Sequence, residues 1–207
     1  MDFRERATLA LMAVTALVTL GIWVTGNLQY ASTAMGFIAA RIGGLDISPA
    51  VPAVLTPLSA TLVHGDFLHL LINFLLFAYC GRQVERVLGV IPLVLLYVAG
   101  AYAAAAGQYA LDPGSTAPMI GASGAISALV GAYAVSFGQP KMIVESLRLN
   151  RWLNIAWLMA AWIVLQWIVG FLGGQQGTMI AIGAHVGGFI AGVLLQRPLL
   201  LWRYRRA

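Results

Sequence analysis

The chain has 207 residues, of which 60% are apolar and 9% charged, with a formal net charge of +5. Average soluble domains carry about 25% charged residues; with a mean hydropathy of +0.86, a soluble fold of this size would expose apolar patches that aggregate. Composition therefore excludes an ordinary soluble domain, length allows one compact unit, and the lone cysteine, Cys80, rules out an internal disulfide framework.

A helix needs about 20 mostly apolar residues to cross the hydrocarbon core, and lipid cannot satisfy open backbone groups, so every span must be helical. Stretches free of Asp, Glu, Lys and Arg set the expected spans. Ala7 to Ala40 holds the first, at about 7–27. Its apolar run is long and lacks a convincing small-residue cleavage site, so it reads as a helix rather than a signal peptide. The connection from Gln29 to Leu55 is apolar, with Pro49 and Pro52, and is expected to rest in the membrane interface. Ile47–Gly65 and Phe67–Gly81 flank Asp66 and give a second span at about 58–79. The third is expected at 90–111 and the fourth at 121–138. From Trp152 to Gln196 the chain is uncharged for 45 residues, too long for one crossing. Gly173–Gly174–Gln175–Gln176–Gly177 divides it with turn residues, giving spans at about 152–172 and 178–196. The expected fold is an all-α membrane protein, a single domain of six spans over residues 1–207.

Six spans put both ends on one side. Of the 12 basic residues, 11 fall there: Arg4, Arg6, Arg82, Arg86, Lys141, Arg148, Arg151, Arg197, Arg203, Arg205 and Arg206. Only Arg41 falls on the other side, with Asp46, Asp66 and Asp112. Basic residues concentrate in cytoplasmic loops, so both termini are expected in the cytoplasm, and the basic tail reads as a topology anchor, not a nucleic-acid patch.

Polar groups at membrane depth are costly and point to function. All three histidines, His64, His69 and His185, lie in or at the edge of expected spans. His69 and Asn73, four apart, share a helix face; His64, five before His69, is expected to be rotated away. The fourth span opens Gly121–Ala122–Ser123–Gly124, and the sixth carries Ala184–His185–Val186–Gly187–Gly188, then Gly192. Small residues let membrane helices approach closely. Gly124, Ala128 and Gly131 on one helix, with Gly188 and Gly192 on the other, would let Ser123 meet His185. Any single serine in a helix more often bonds its own backbone; the combination favours chemistry.

At these residues the chain resembles the rhomboid family of intramembrane serine proteases, of the bacterial six-helix type, over about Leu58 to Gly192. His64, His69 and Asn73 match the family's second helix, Gly121 to Gly124 its G-x-S-G motif, and Ala184, His185, Gly188 and Gly192 its sixth helix. The stretch Gly81 to Gly89, with Glu85, is also similar. The resemblance implies Ser123 as nucleophile, His185 as base, and an oxyanion hole from His69, Asn73 and the Ser123 N–H. His64, Gly121, Gly124, Ser127, Gly188 and Gly192 then have supporting roles, and neither cofactor nor metal is implied. Leu55 and Thr56 stand where many members have Trp-Arg. Ser127 stands where many have a tyrosine stacked on the base, so a Ser127–His185 hydrogen bond is expected to orient the imidazole.

Serine needs an adjacent base. With no carboxylate expected within the spans, the economical reading is a Ser–His dyad; the resemblance implies that it cleaves transmembrane segments of single-span or polytopic membrane proteins, expected to enter sideways from lipid. Partners are then substrate and bilayer, not nucleic acid. Trp152, Trp157, Trp162 and Trp167 wind around the fifth span and read mostly as lipid contact and packing. The competing readings are a catalytically silent rhomboid-like binding or chaperone protein and a histidine-containing transporter; retention of Ser123 and His185 opposes the first, and the absence of similar halves the second.

Overall fold

A computed structural model describes residues 6–138, 142–172 and 181–205. The expected turn at Gly173–Gly177, and the start of the last expected span at 178–180, lie outside the described residues. Among those residues the chain is helical, with one isolated antiparallel bridge between Phe37 and Met119. The principal helices are α1 (Arg6–Val24), α2 (Leu28–Met35), α3 (Phe67–Leu88), α4 (Val90–Leu111), α5 (Ser123–Phe137), α6 (Leu147–Leu172) and α7 (Ile182–Arg203). Four of them, α1, α3, α4 and α7, are long and apolar enough to cross a membrane by length and composition.

These helices are sorted for lipid, not water. In α1 the side chains of Thr8, Thr15 and Thr19 are buried, whereas Leu9, Val14, Leu17, Leu20 and Val24 are exposed. On α3 an exposed stripe runs Phe67, Leu71, Leu75, Tyr79 at helical spacing, with Asn73, Phe77, Val84 and Glu85 behind it. A soluble bundle would invert both patterns; with hydrocarbon outside, leucine gains nothing by hiding and polar or small residues make the helix contacts.

The second expected span begins elsewhere. Residues 53–62 form short turns, Ala53–Leu55, Thr56–Ser59 and Ala60–Leu62, and α3 starts at Phe67 instead of Leu58. Asp66 sets this boundary, because its side chain caps the helix by accepting the His69 N–H at 2.8 Å. The helix then runs through a wide turn at Phe77–Gly81 and on to Leu88, ending at Gly89 with φ +86°.

That extension brings a carboxylate into the bundle where none was expected. Glu85 is fully buried and accepts the Ala7 N–H at 2.8 Å, the Thr8 N–H at 2.9 Å and the Thr8 hydroxyl at 2.6 Å. It closes the first turn of α1, where free N–H groups and the helix dipole favour an anion. At the same end of the molecule Arg203 donates to the Arg86 carbonyl at 3.0 Å.

The centre is α5, flanked by α4 and α7. Ser123 to Ala132 are all buried. The helices meet on glycine: a Cβ on Gly188 would strike the Gly124 carbonyl, one on Gly192 the Ala128 carbonyl, one on Gly131 the Phe189 carbonyl, and one on Gly107 the Gly183 carbonyl. Such backbone-to-backbone seams hold α4, α5 and α7 at distances that larger residues forbid.

Candidate active site

The segment before α5 is fixed group by group. Gly121 has φ +105°, a conformation that L residues rarely adopt, and its N–H donates to the Ala60 carbonyl at 2.9 Å. A Cβ at this position would lie 2.5 Å from His69 Nε2, so the chain can pass the imidazole only as glycine. The next N–H, of Ala122, points at His64 Nε2 at 3.4 Å. Ser123 is the first residue of α5, and its N–H has no partner within the helix.

His64 is not on α3. It sits in the connection ahead of Asp66, and its ring meets that of His69 edge-on at 5.0 Å, not rotated away as a shared helix would require. Thr19 donates its hydroxyl to the Leu62 carbonyl at 2.8 Å and lies 3.2 Å from His64 Nδ1, while Trp23 Nε1 donates to the His64 carbonyl at 2.9 Å. With Nε2 accepting from Ala122, the proton belongs on Nδ1, donated to Thr19. His64 thus ties α1 to the start of α5.

The seam between α5 and α7 brings Ser123 and His185 together. Ser123 Oγ lies 3.0 Å from His185 Nε2, and the two residues are 8% and 4% exposed. They share the wall of a cavity of about 560 Å³ with His69, Gly121, Gly124 and Gln166. The loop residues Phe37, Ala39, Ser115, Pro118 and Met119 line it as well. Asn73 is fully buried, donates its side-chain Nδ2 to the His69 carbonyl at 2.8 Å and does not line this cavity. Gly188 and Gly192 are on the seam below the pair.

A serine hydroxyl within hydrogen-bond reach of an imidazole nitrogen, buried beside a cavity, is the arrangement that activates a nucleophile. The sequence profile of the Rhomboid domain matches residues 52–202. The chain belongs to the rhomboid family. No curated protein matches the chain significantly. Rhomboids are a family of intramembrane proteases, generally serine proteases, and this rhomboid is an integral membrane protein built as a helical bundle.

At the three positions where this rhomboid departs from the common pattern, Leu55, Thr56 and Ser127, the structure shows which contacts are made instead. In place of the Trp-Arg pair, the connection before α3 is held by hydroxyl and guanidinium donors on carbonyls: Thr56 to Ala53 at 2.6 Å, Ser59 to Met35 at 2.6 Å, Tyr102 to Val54 at 2.9 Å and Arg41 to Val51 at 2.9 Å. Ser127 does not bond His185. Its hydroxyl donates to the Ser123 carbonyl at 2.7 Å and accepts from Trp162 Nε1 at 2.6 Å. Four residues back along α5 is where a helical serine finds its nearest carbonyl, and that carbonyl takes its only proton.

Two residues of α6 at this site had no clear mark in the sequence. Trp162 is buried, with its ring 6.0 Å from that of His185, whereas Trp152, Trp157 and Trp167 are exposed. Gln166, one turn on, is buried on the cavity wall with its Nε2 unpartnered among the described residues. A lone glutamine in an apolar helix was the available signal. Among the described residues no group of three His, Cys, Asp or Glu side chains is gathered to hold a metal ion.

Proposed function

We propose that this protein is an intramembrane serine endopeptidase that cleaves transmembrane segments of other membrane proteins, with Ser123 as nucleophile and His185 as general base. The observation that carries the reading is the 3.0 Å approach of Ser123 Oγ to His185 Nε2 on a cavity wall. His185 Nε2 takes the hydroxyl proton as Oγ adds to the scissile carbonyl. The tetrahedral intermediate collapses to an acyl-enzyme, and the imidazolium returns the proton to the departing amine. Water then adds to the acyl carbon as it loses a proton to the same nitrogen, and the acyl–Oγ bond breaks as the imidazolium returns that proton to Ser123 Oγ, releasing the new carboxyl end.

Oxyanion stabilisation falls to the Ser123 N–H and to His69 on the cavity wall. Asn73, buried behind the cavity wall, donates to the His69 carbonyl at 2.8 Å and so supports the hole through His69. Each oxyanion donor is worth about 10²–10³-fold in rate.

Depth is supported by the length of α5. Its 15 residues rise roughly 22 Å at 1.5 Å each, short of a hydrocarbon core of about 30 Å. A helix anchored at its far end therefore starts below the surface, and Ser123 is recessed but reachable by water. Glu85 beside Ala7 and Arg203 beside Arg86 gather basic segments at the opposite end. That supports cytoplasmic termini and a site near the outer face; residence in a bacterial plasma membrane is proposed on the family resemblance alone.

The test is cleavage of a panel of single-span proteins by detergent-reconstituted protein, beside labelling with a fluorophosphonate serine probe. Wild type is expected to cleave and label, and Ser123→Ala and His185→Ala to do neither. Labelling that survives in Ser123→Ala would refute the assignment.

A further inference from the structure

The dyad lacks the group that usually aims the base. His185 Nδ1 has no hydrogen-bond partner among the described residues, and Ser127 spends its proton on the Ser123 carbonyl. Yet a base must be held within a fraction of an ångström of its productive geometry, because misplacement by about 1 Å costs about 10²-fold in rate. Something else has to fix the imidazole plane.

The indole of Trp162 packs against it. The two rings are 6.0 Å apart between centroids with an interplanar angle of 64°, within the edge-to-face range of aromatic pairs. The indole is itself pinned: Trp162 Nε1 donates to Ser127 Oγ at 2.6 Å, Ser127 donates to the Ser123 carbonyl at 2.7 Å, and Ser123 Oγ meets His185 Nε2 at 3.0 Å. These contacts form a closed circuit through α5, α6 and α7. Ser127 is fully buried and Trp162 4% exposed, so water does not compete for the bond.

We propose that Trp162, anchored on Ser127, is the residue that positions His185 for proton transfer. The inference rests on the Ser123–His185 reading above. It makes α6 part of the catalytic geometry: the base is aimed only while α6 is seated against α5 and α7.

The experiment measures kcat and KM on a cleaved single-span substrate, per active site titrated with fluorophosphonate, together with thermal unfolding midpoints. Trp162→Ala is expected to lower kcat per titrated site about 10²-fold with KM within twofold. Trp162→Phe, which keeps a ring but loses the N–H, should recover part of that loss. Ser127→Ala should match Trp162→Phe, and the double variant should be no worse than either, because both remove one bond. A purely structural indole would lower the midpoint and the titratable fraction and leave kcat per site unchanged, which overturns the proposal. So does a loss confined to KM, or additive effects of Ser127→Ala and Trp162→Phe. If Trp162→Ala does not fold, the Phe and Ser127→Ala variants, which remove far less volume, carry the test. Failure of the dyad itself reads differently: Ser123→Ala would retain cleavage, and both readings would fall together.

Discussion

The glycine seam between α5 and α7 makes a sharp prediction. A methyl group at position 188 would overlap the Gly124 carbonyl oxygen and stand 3.0 Å from Ser127 Cβ. Carbon and carbonyl oxygen approach to about 3.3–3.6 Å in close helix contacts, so Gly188→Ala must push α7 away from α5 by about 1 Å or more. His185 lies one turn from Gly188 on the same helix. The Ser123–His185 distance of 3.0 Å would then open toward about 4 Å, beyond the 2.6–3.2 Å reach that proton transfer needs. The expected activity loss is about 10²-fold. Overpacking costs about 1–3 kcal/mol, offset in part by the better helix propensity of alanine, about 1 kcal/mol. Stability should therefore fall little while cleavage falls far. Gly21→Ala is the control, because nothing lies within 4 Å of a Cβ there. Both variants are compared by substrate cleavage, fluorophosphonate labelling rate and thermal unfolding in detergent. Wild-type cleavage by Gly188→Ala would mean that the two backbones do not touch at this level, and the account of how nucleophile and base meet would be wrong.

Glu85→Gln should lower the unfolding midpoint clearly and leave kcat per titrated site unchanged below it, because Glu85 holds the start of α1 through three hydrogen bonds and does not line the cavity; hydrogen bonds to a charged group contribute about 1.5–3 kcal/mol each. Gly121→Ala combines a left-handed backbone with a Cβ 2.5 Å from His69 Nε2. It should displace His69 and abolish cleavage, with a strain of about 1–3 kcal/mol; a variant that cleaves normally would remove His69 from the oxyanion site.

The helical membrane fold was legible because lipid enforces a rule that a sequence cannot hide: uncharged runs of the right length, with basic residues between them. The rule failed where a charge is buried and fully paired. Glu85 reads as a loop residue by charge alone, and only its partners on α1, 77 and 78 positions away, turn it into part of a helix core. The start of α3 was misplaced for a different reason. Asp66 ahead of an apolar run is an N-cap signal, whereas hydropathy runs through it as part of one span. His64 therefore belongs to the connection and not to the helix that hydropathy alone gives it.

At the site, the residues with fixed spacing were readable and those joined only by packing were not. Gly121 to Gly124, and Gly188 with Gly192, announce close approach because only small residues permit it, and the helices do meet there. Trp162 carries no such mark: four tryptophans at five-residue spacing point all around α6, and lipid accepts tryptophan as readily as a helix interface does. What distinguishes Trp162 is its neighbour one turn on. Gln166 cannot face hydrocarbon without an unsatisfied amide, so it fixes which side of α6 turns inward, and Trp162 shares that side. The threonines of α1 mark their inward face in the same way. In a membrane bundle the polar and small residues, not the hydrophobic ones, report helix orientation, and an aromatic residue gains a definite address only when a polar one stands a turn away. By that criterion α6 of this protein presents Trp162 to His185 and Gln166 to the cavity wall, and its other tryptophans to lipid.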